Sequence, residues 1–158
     1  MKISKFLTPL ICILLPLIIG SLSGLANAGS INTWYAQLNK PSFNPPGYLF
    51  GPVWTILYLL MGVSLYLVWK APDGRMRDYA LIIFGIQMVL NFAWSFIFFY
   101  FHQPGWALVD IIALWIFIVA TILIFYRISS TSALIQVPYL LWVSFATVLN
   151  AAIWLLNK

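Results

Sequence analysis

Charge is what this sequence has least of. Eight Lys/Arg and three Asp/Glu make up 7% of 158 residues, against 63% apolar. A soluble domain averages about 25% charged, and so few ionic side chains would leave large apolar patches in water. A soluble globule is therefore excluded. There is one cysteine, Cys12, inside an apolar run, which rules out a disulfide framework and a Cys-cluster metal site. The one histidine, His102, stands in a turn beside Pro104-Gly105 with no Ser or Cys near it to act as nucleophile. No Gly-rich phosphate loop and no metal-ligand pattern occurs, so the sequence holds no conventional active site and calls for no obligatory cofactor. The net charge of +5 is too small and scattered for a nucleic-acid partner.

What is present is long apolar runs. Windows of about 19 residues give five, at 6–26, 48–69, 79–101, 106–126 and 133–156. They are too long and too uniform for strands, and the connectors between the later ones are short enough to make neighbours antiparallel. The expected fold is all-α: an integral membrane bundle of five transmembrane helices in a single domain over 1–158, with a long loop at 27–47. No internal repeat supports an inverted-repeat transporter. The first run has a rival reading as a signal peptide, since Met1–Lys5 is basic and Ala26-Asn27-Ala28 resembles a cleavage site. Its apolar stretch is longer than the usual 7–15 residues, and Pro16, Gly20 and Gly24 fall at four-residue spacing, which puts two glycines on one face for close packing. Lys2, Lys5, Lys70, Arg75, Arg77 and Arg127 share one side of a five-span topology, with only Lys40 and Lys158 opposite. That asymmetry puts the N-terminus in the cytoplasm and the long loop outside.

The long loop carries Pro41, Pro45, Pro46 and Gly47, which remove donors and pre-set dihedrals. Trp34, Tyr35 and Leu38 are spaced for a short helix before Lys40-Pro41. Two readings stand for this segment: an aromatic belt at the headgroups, or a lid over the bundle. Within the spans, Gln87, Asn91 and Trp94 share a helix face, and each amide needs a partner in the bundle, as interhelical glue or as a ligand contact. Asp110 is the one acidic residue inside a span, which marks it for function or for packing near a helix end. Trp54 and Tyr58 are one turn apart on the second span. On the fifth, Trp142, Ala146 and Asn150 recur every four residues, with the small Ala146 leaving space between helices for a flat ligand. Core packing explains the same stripe.

These pieces, in order, resemble the translocator protein family, also called the TspO or peripheral-type benzodiazepine receptor family. The resemblance rests on W-Y-A-Q-L-N-K-P-S-F-N-P-P (34–46), P-V-W-T-I-L-Y-L-L-M-G (52–62), Q-M-V-L-N-F-A-W-S-F-I-F-F (87–99), G-W-A-L-V-D (105–110) and P-Y-L-L-W-V-S-F-A-T-V-L-N (138–150). It implies a retained first span, a five-helix membrane protein, often a homodimer, and a first loop covering a pocket. The implied ligands are protoporphyrin IX and haem, together with isoquinoline and benzodiazepine-type compounds. Cholesterol is a ligand of some members, and some bacterial members promote light-dependent oxidative breakdown of protoporphyrin. By motif position the pocket residues are Tyr35, Pro45, Trp54, Asn91, Trp94, Trp106, Asp110, Trp142 and Ala146. For the light reaction, Trp54 and Trp142 are the candidate catalytic residues. Two departures stand out. Phe43 replaces the usual Trp, and the segment from Val148 to Lys158 has no Tyr for the cholesterol pattern, itself a weak one. These departures lean toward a bacterial-type member directed at tetrapyrroles, in a bacterial cell membrane rather than the mitochondrial outer membrane. The expected functions, in order, are a receptor or carrier, an enzyme degrading protoporphyrin in light, and a structural membrane protein.

Overall fold

The computed structural model describes residues 2–158, with side chains from Phe6 onward; Met1 and the side chains of Lys2 and Lys5, which enter the charge count, lie outside that set. The chain is a bundle of helices with no strand among the described residues. Its elements are α1 (Lys2–Ile31), α2 (Trp34–Gln37), α3 (Gly47–Trp69), α4 (Arg75–Ser95), α5 (Pro104–Tyr126), α6 (Ser130–Ile135) and α7 (Val137–Leu156). Five stretches are long and apolar enough to cross a membrane: Phe6–Ile31, Gly47–Trp69, Arg75–Tyr100, Pro104–Tyr126 and Ser130–Leu156. The expected five-span all-α bundle is the observed one.

Several ends differ from the sequence reading. α1 runs five residues past Ala26, because small residues continue the helix and the Thr33 hydroxyl donates to the Gly29 carbonyl at 2.8 Å. The third span starts at Arg75. Arg77 donates to the carbonyls of Trp69 (3.3 Å) and Ala71 (3.2 Å) and pairs with Asp73, which ties the preceding turn to the helix. That span ends in a π turn at Phe96–Tyr100, where the amide of Phe101 reaches the carbonyl of Phe96 at 2.9 Å. Widened turns of this kind concentrate at functional sites. Pro104 and Pro138 occupy first-turn positions, where a missing N–H costs nothing.

The fifth span is two helices rather than one. At the break, Ser64 donates to the carbonyl of Ser132 (2.9 Å), Ser132 returns a bond to the carbonyl of Ser64 (2.8 Å), and the Gln136 amide donates to the Ser64 hydroxyl (3.1 Å). This buried knot supplies donors to backbone that the interrupted helix leaves open. Around it the packing is dense. Val68, Ala80, Ile118 and Phe125 are fully buried, and the Phe84 and Phe125 rings stack at 5.9 Å.

α1 packs chiefly on α3, and the order of its contacts is antiparallel: Ile13 meets Gly62, and Gly20 meets Tyr58. A Cβ on Gly62 would lie 2.6 Å from the Ile13 Cα, so only glycine permits this backbone approach. Gly20 admits the Tyr58 ring in the same way. Gly24 does not pack as its spacing suggested, for a Cβ there would meet nothing within 4 Å.

Candidate functional site

At the end of the bundle capped by residues 38–46 lies a cavity of about 810 Å³. α1 gives it a wall of small and polar residues (Gly20, Ser21, Gly24, Asn27). Ser21 keeps its hydroxyl satisfied by donating to the Leu17 carbonyl at 2.8 Å. α3 contributes Phe50, Trp54 and Tyr58, and α7 contributes Trp142, Ala146 and Asn150. Trp94, Phe98 and Phe99 close the far side, the last two carried by the π turn. Small residues facing rigid aromatic rings leave volume that neither side can fill.

The walls are held in place by one another and by Asn91, Tyr139 and Pro104 behind them. Trp54 stacks on Tyr58 at 5.5 Å and meets the edge of Tyr139 at 6.2 Å. Tyr58 donates to Asn91 Oδ1 (2.6 Å), and Asn91 Nδ2 donates to the Tyr139 hydroxyl (2.8 Å), so one buried amide fixes both rings that hold the indole. On the other wall, Phe50 meets Trp142 at 6.0 Å. The Trp94 indole donates to Asn150 Oδ1 at 2.9 Å, and Asn150 donates to the Pro104 carbonyl at 2.8 Å. Trp142 Nε1 and Asn27 Oδ1 have no hydrogen-bond partner among the described residues.

The cap is bolted down at both ends. Asn39 and Asn157 exchange two hydrogen bonds, of 2.9 and 2.8 Å. Tyr35 donates to Asn44 at 3.0 Å, and the Asn44 amide N–H closes a turn on Pro41 at 3.0 Å. Burial pushes the Tyr35 phenol above its ordinary value, and the bond to Asn44 offsets part of that rise. Trp34 lies flat on His102 (4.3 Å), and the Ser30 hydroxyl is 3.2 Å from its Nε2, so a serine 72 positions away does stand beside the histidine, contrary to the sequence reading; the histidine serves as a clamp between α1, α2 and the turn before α5.

Of the residues singled out in the sequence, Tyr35, Pro45, Trp54, Trp94, Trp142 and Ala146 line this cavity. Asn91 stands behind the wall. Trp106 and Asp110 are elsewhere: they line a shallow outer groove with Phe101 and Gln103. The reason is helical register. Ala107, Ile111, Leu114 and Ile118 hold the inward face of α5, and positions 106 and 110 are rotated to the same side of it, by roughly 110° and roughly 70°. Gln87 is fully buried, and neither of its amide atoms has a partner among the described residues, contrary to the expectation that each amide in the spans finds one. Among the lining residues the sequence did not single out are Ser21, Asn27, Lys40, Asn44, Phe50 and the pair Phe98–Phe99. For α1 a signal existed, since 17, 20, 24, 27 and 31 form one helical stripe. For Asn44 and Lys40 none did.

The TspO/MBR family pattern matches residues 12–155. The chain belongs to the TspO/MBR family. Among its relatives in that family, "Tryptophan-rich protein TspO" of Chlorobaculum tepidum is 44% identical over 97% of this chain and 98% of its own. The protein of the same name from Archaeoglobus fulgidus is 45% identical over 92% and 94%. "Translocator protein" of Homo sapiens is 44% identical over 77% of this chain and 73% of its own. With five apolar helices and this family membership, the chain is a multi-pass membrane protein.

Proposed function

We propose that this TspO/MBR chain is a receptor or carrier that holds a tetrapyrrole, protoporphyrin IX or haem, inside the bilayer. The observation that carries the reading is the cavity itself: about 810 Å³, with Trp54 and Trp142 on different helices as flat walls, under a proline-stiffened cap. Apolar cavities of this size with a few convergent polar groups suit a ligand of drug size or larger. The lining residues include no imidazole or sulfur donor, and Tyr35, Tyr58 and Lys40 are the groups that could approach a haem iron. The homologues in bacteria and archaea, and the missing Tyr near the end of α7, favour a bacterial cell membrane and a tetrapyrrole over cholesterol.

A second reading, light-dependent oxidative breakdown of protoporphyrin by dioxygen, has one observation in its favour. Trp54 touches two phenols, Tyr58 and Tyr139, so an oxidised indole would have readily oxidised neighbours. Titration of protoporphyrin IX in darkness, followed by illumination, separates the two readings. Saturable Trp quenching is expected for the wild type. In the Trp54→Phe, Trp142→Phe double variant, dark affinity should fall by no more than the ~0.5–1.5 kcal/mol that aromatic pairing contributes. Pigment loss that collapses in that variant supports the enzyme; loss at the wild-type rate per bound ligand eliminates it. Absence of saturable quenching in the wild type defeats the receptor reading.

A further inference from the structure

We propose that Lys40 recognises a carboxylate on the cavity ligand, so that the site takes a flat apolar body with its acidic edge turned toward the cap. The proposal rests on the tetrapyrrole reading above and specifies which tetrapyrroles bind and which way round.

Lys40 is the only formally charged residue among those lining the cavity. Its Nζ donates to the carbonyls of Ala36 and Leu38, each at 3.3 Å, and lies 4.8 Å from the centre of the Tyr35 ring. All three partners are neutral. An ammonium has three N–H donors, and two are engaged. The chain has only three side-chain carboxylates to offer. Asp73 pairs with Arg77, Asp78 lies in the first turn of α4, and Asp110 faces the outer groove. Arg77–Asp73 is the one ion pair among the described residues. Lys40 is therefore a partly exposed cation held in position at the cavity, with no counter-charge among the described residues and one N–H donor open to an arriving anion.

Its backbone is fixed as well. Asn39 before it is bonded twice to Asn157, and Pro41 follows it. The charge is thus pre-placed, and little ordering remains to oppose a charge-assisted hydrogen bond. Away from the cap the lining mixes flat and apolar side chains (Trp54, Trp142, Ala146, Leu149) with neutral polar ones (Ser21, Asn27, Asn150) and carries no charge. The single cation at the cap therefore orients an amphipathic anion: ring system inward, carboxylates at the cap. Uncharged isoquinoline-type compounds would bind without using Lys40.

The test compares protoporphyrin IX with its dimethyl ester on the full-length protein in darkness, read by Trp quenching. The wild type should bind the diacid about tenfold or more tighter than the ester, with the preference shrinking as salt is raised. Lys40→Gln should bring the diacid down to the ester's affinity and leave the ester within about twofold of wild type. Lys40→Arg should restore the preference. Equal binding of diacid and ester by the wild type overturns the proposal while leaving the tetrapyrrole reading intact. Equal loss of both pigments in Lys40→Gln overturns it too, by showing a role in cap folding rather than charge. Failure of both pigments to saturate the wild type defeats the tetrapyrrole reading, and this proposal with it.

Discussion

At the end of the bundle away from the cap, Val68, Ile118 and Phe125 are fully buried and a serine–glutamine knot seals the break between α6 and α7. At the capped end, Trp54, Trp142 and Ala146 are only half-buried and face a cavity of about 810 Å³. Both ends draw on the same apolar vocabulary, so hydrophobicity does not distinguish them. The difference is in what small residues are used for. Gly62 lets two backbones close on each other, and the space disappears. Gly24 on α1 has no partner at that distance, and the space remains. A glycine in a membrane helix is therefore not by itself a sign of close packing; what stands opposite it decides.

Exchanging the glycines breaks or sustains this contrast most sharply. Gly62→Ala places a methyl against the Ile13 backbone and should lower stability by about 1–3 kcal/mol. Gly24→Ala enters open space and should gain up to ~1 kcal/mol of helix propensity. Melting temperatures of the two variants in one detergent check this, and equal shifts would abolish the distinction. Next comes the amide that supports the cavity wall from behind. Asn91→Leu leaves the Tyr58 and Tyr139 hydroxyls without their amide partner, and should cost about 1–3 kcal/mol of stability while also loosening the Trp54 wall. A variant that melts normally would show that the wall supports itself. Ala146→Thr should do the opposite, sparing stability and reducing protoporphyrin affinity by roughly tenfold, since added bulk intrudes where the ligand sits. Unchanged affinity in a folded variant would move the ligand elsewhere.

The smallest effect is expected in the cap. Tyr35→Phe deletes one hydrogen bond, about 0.5–1.5 kcal/mol, and should speed amide exchange in residues 39–46 without altering the far end. Because burial raises the Tyr35 phenol in the folded state, its contribution is complete below the ordinary value of 10.0 and is lost as pH climbs through the raised one. Exchange in that segment should therefore accelerate at strongly alkaline pH in the wild type and show no such step in Tyr35→Phe.

The spans were legible because stretches of about twenty mostly apolar residues admit few alternatives, and the walls on α3 and α7 were legible because Trp54/Tyr58 and Trp142/Ala146/Asn150 keep helical spacing. Rotation was not legible. Trp106 and Asp110 have a motif's neighbours, yet the inward face of α5 is set by Ala107 and Ile111, and a helix apolar nearly all round carries no polar face to reveal its orientation. The π turn was hidden for the same reason: 96–101 is aromatic or aliphatic at every position, so a shift in register leaves no trace. The cap's fastening was beyond reach because Asn39 and Asn157 are separated by 118 positions, and nothing local to either marks the other.

That fastening also fixes an order of events. Asn39 leaves the ribosome 118 positions before Asn157, while a membrane chain gathers its helices as they are made. The reciprocal amide bonds cannot form until the fifth span has been threaded into the bilayer beside the first four. Until then the nascent bundle is an uncovered cup. Closure waits on the fifth span, and translation of α7 times when the compartment shuts.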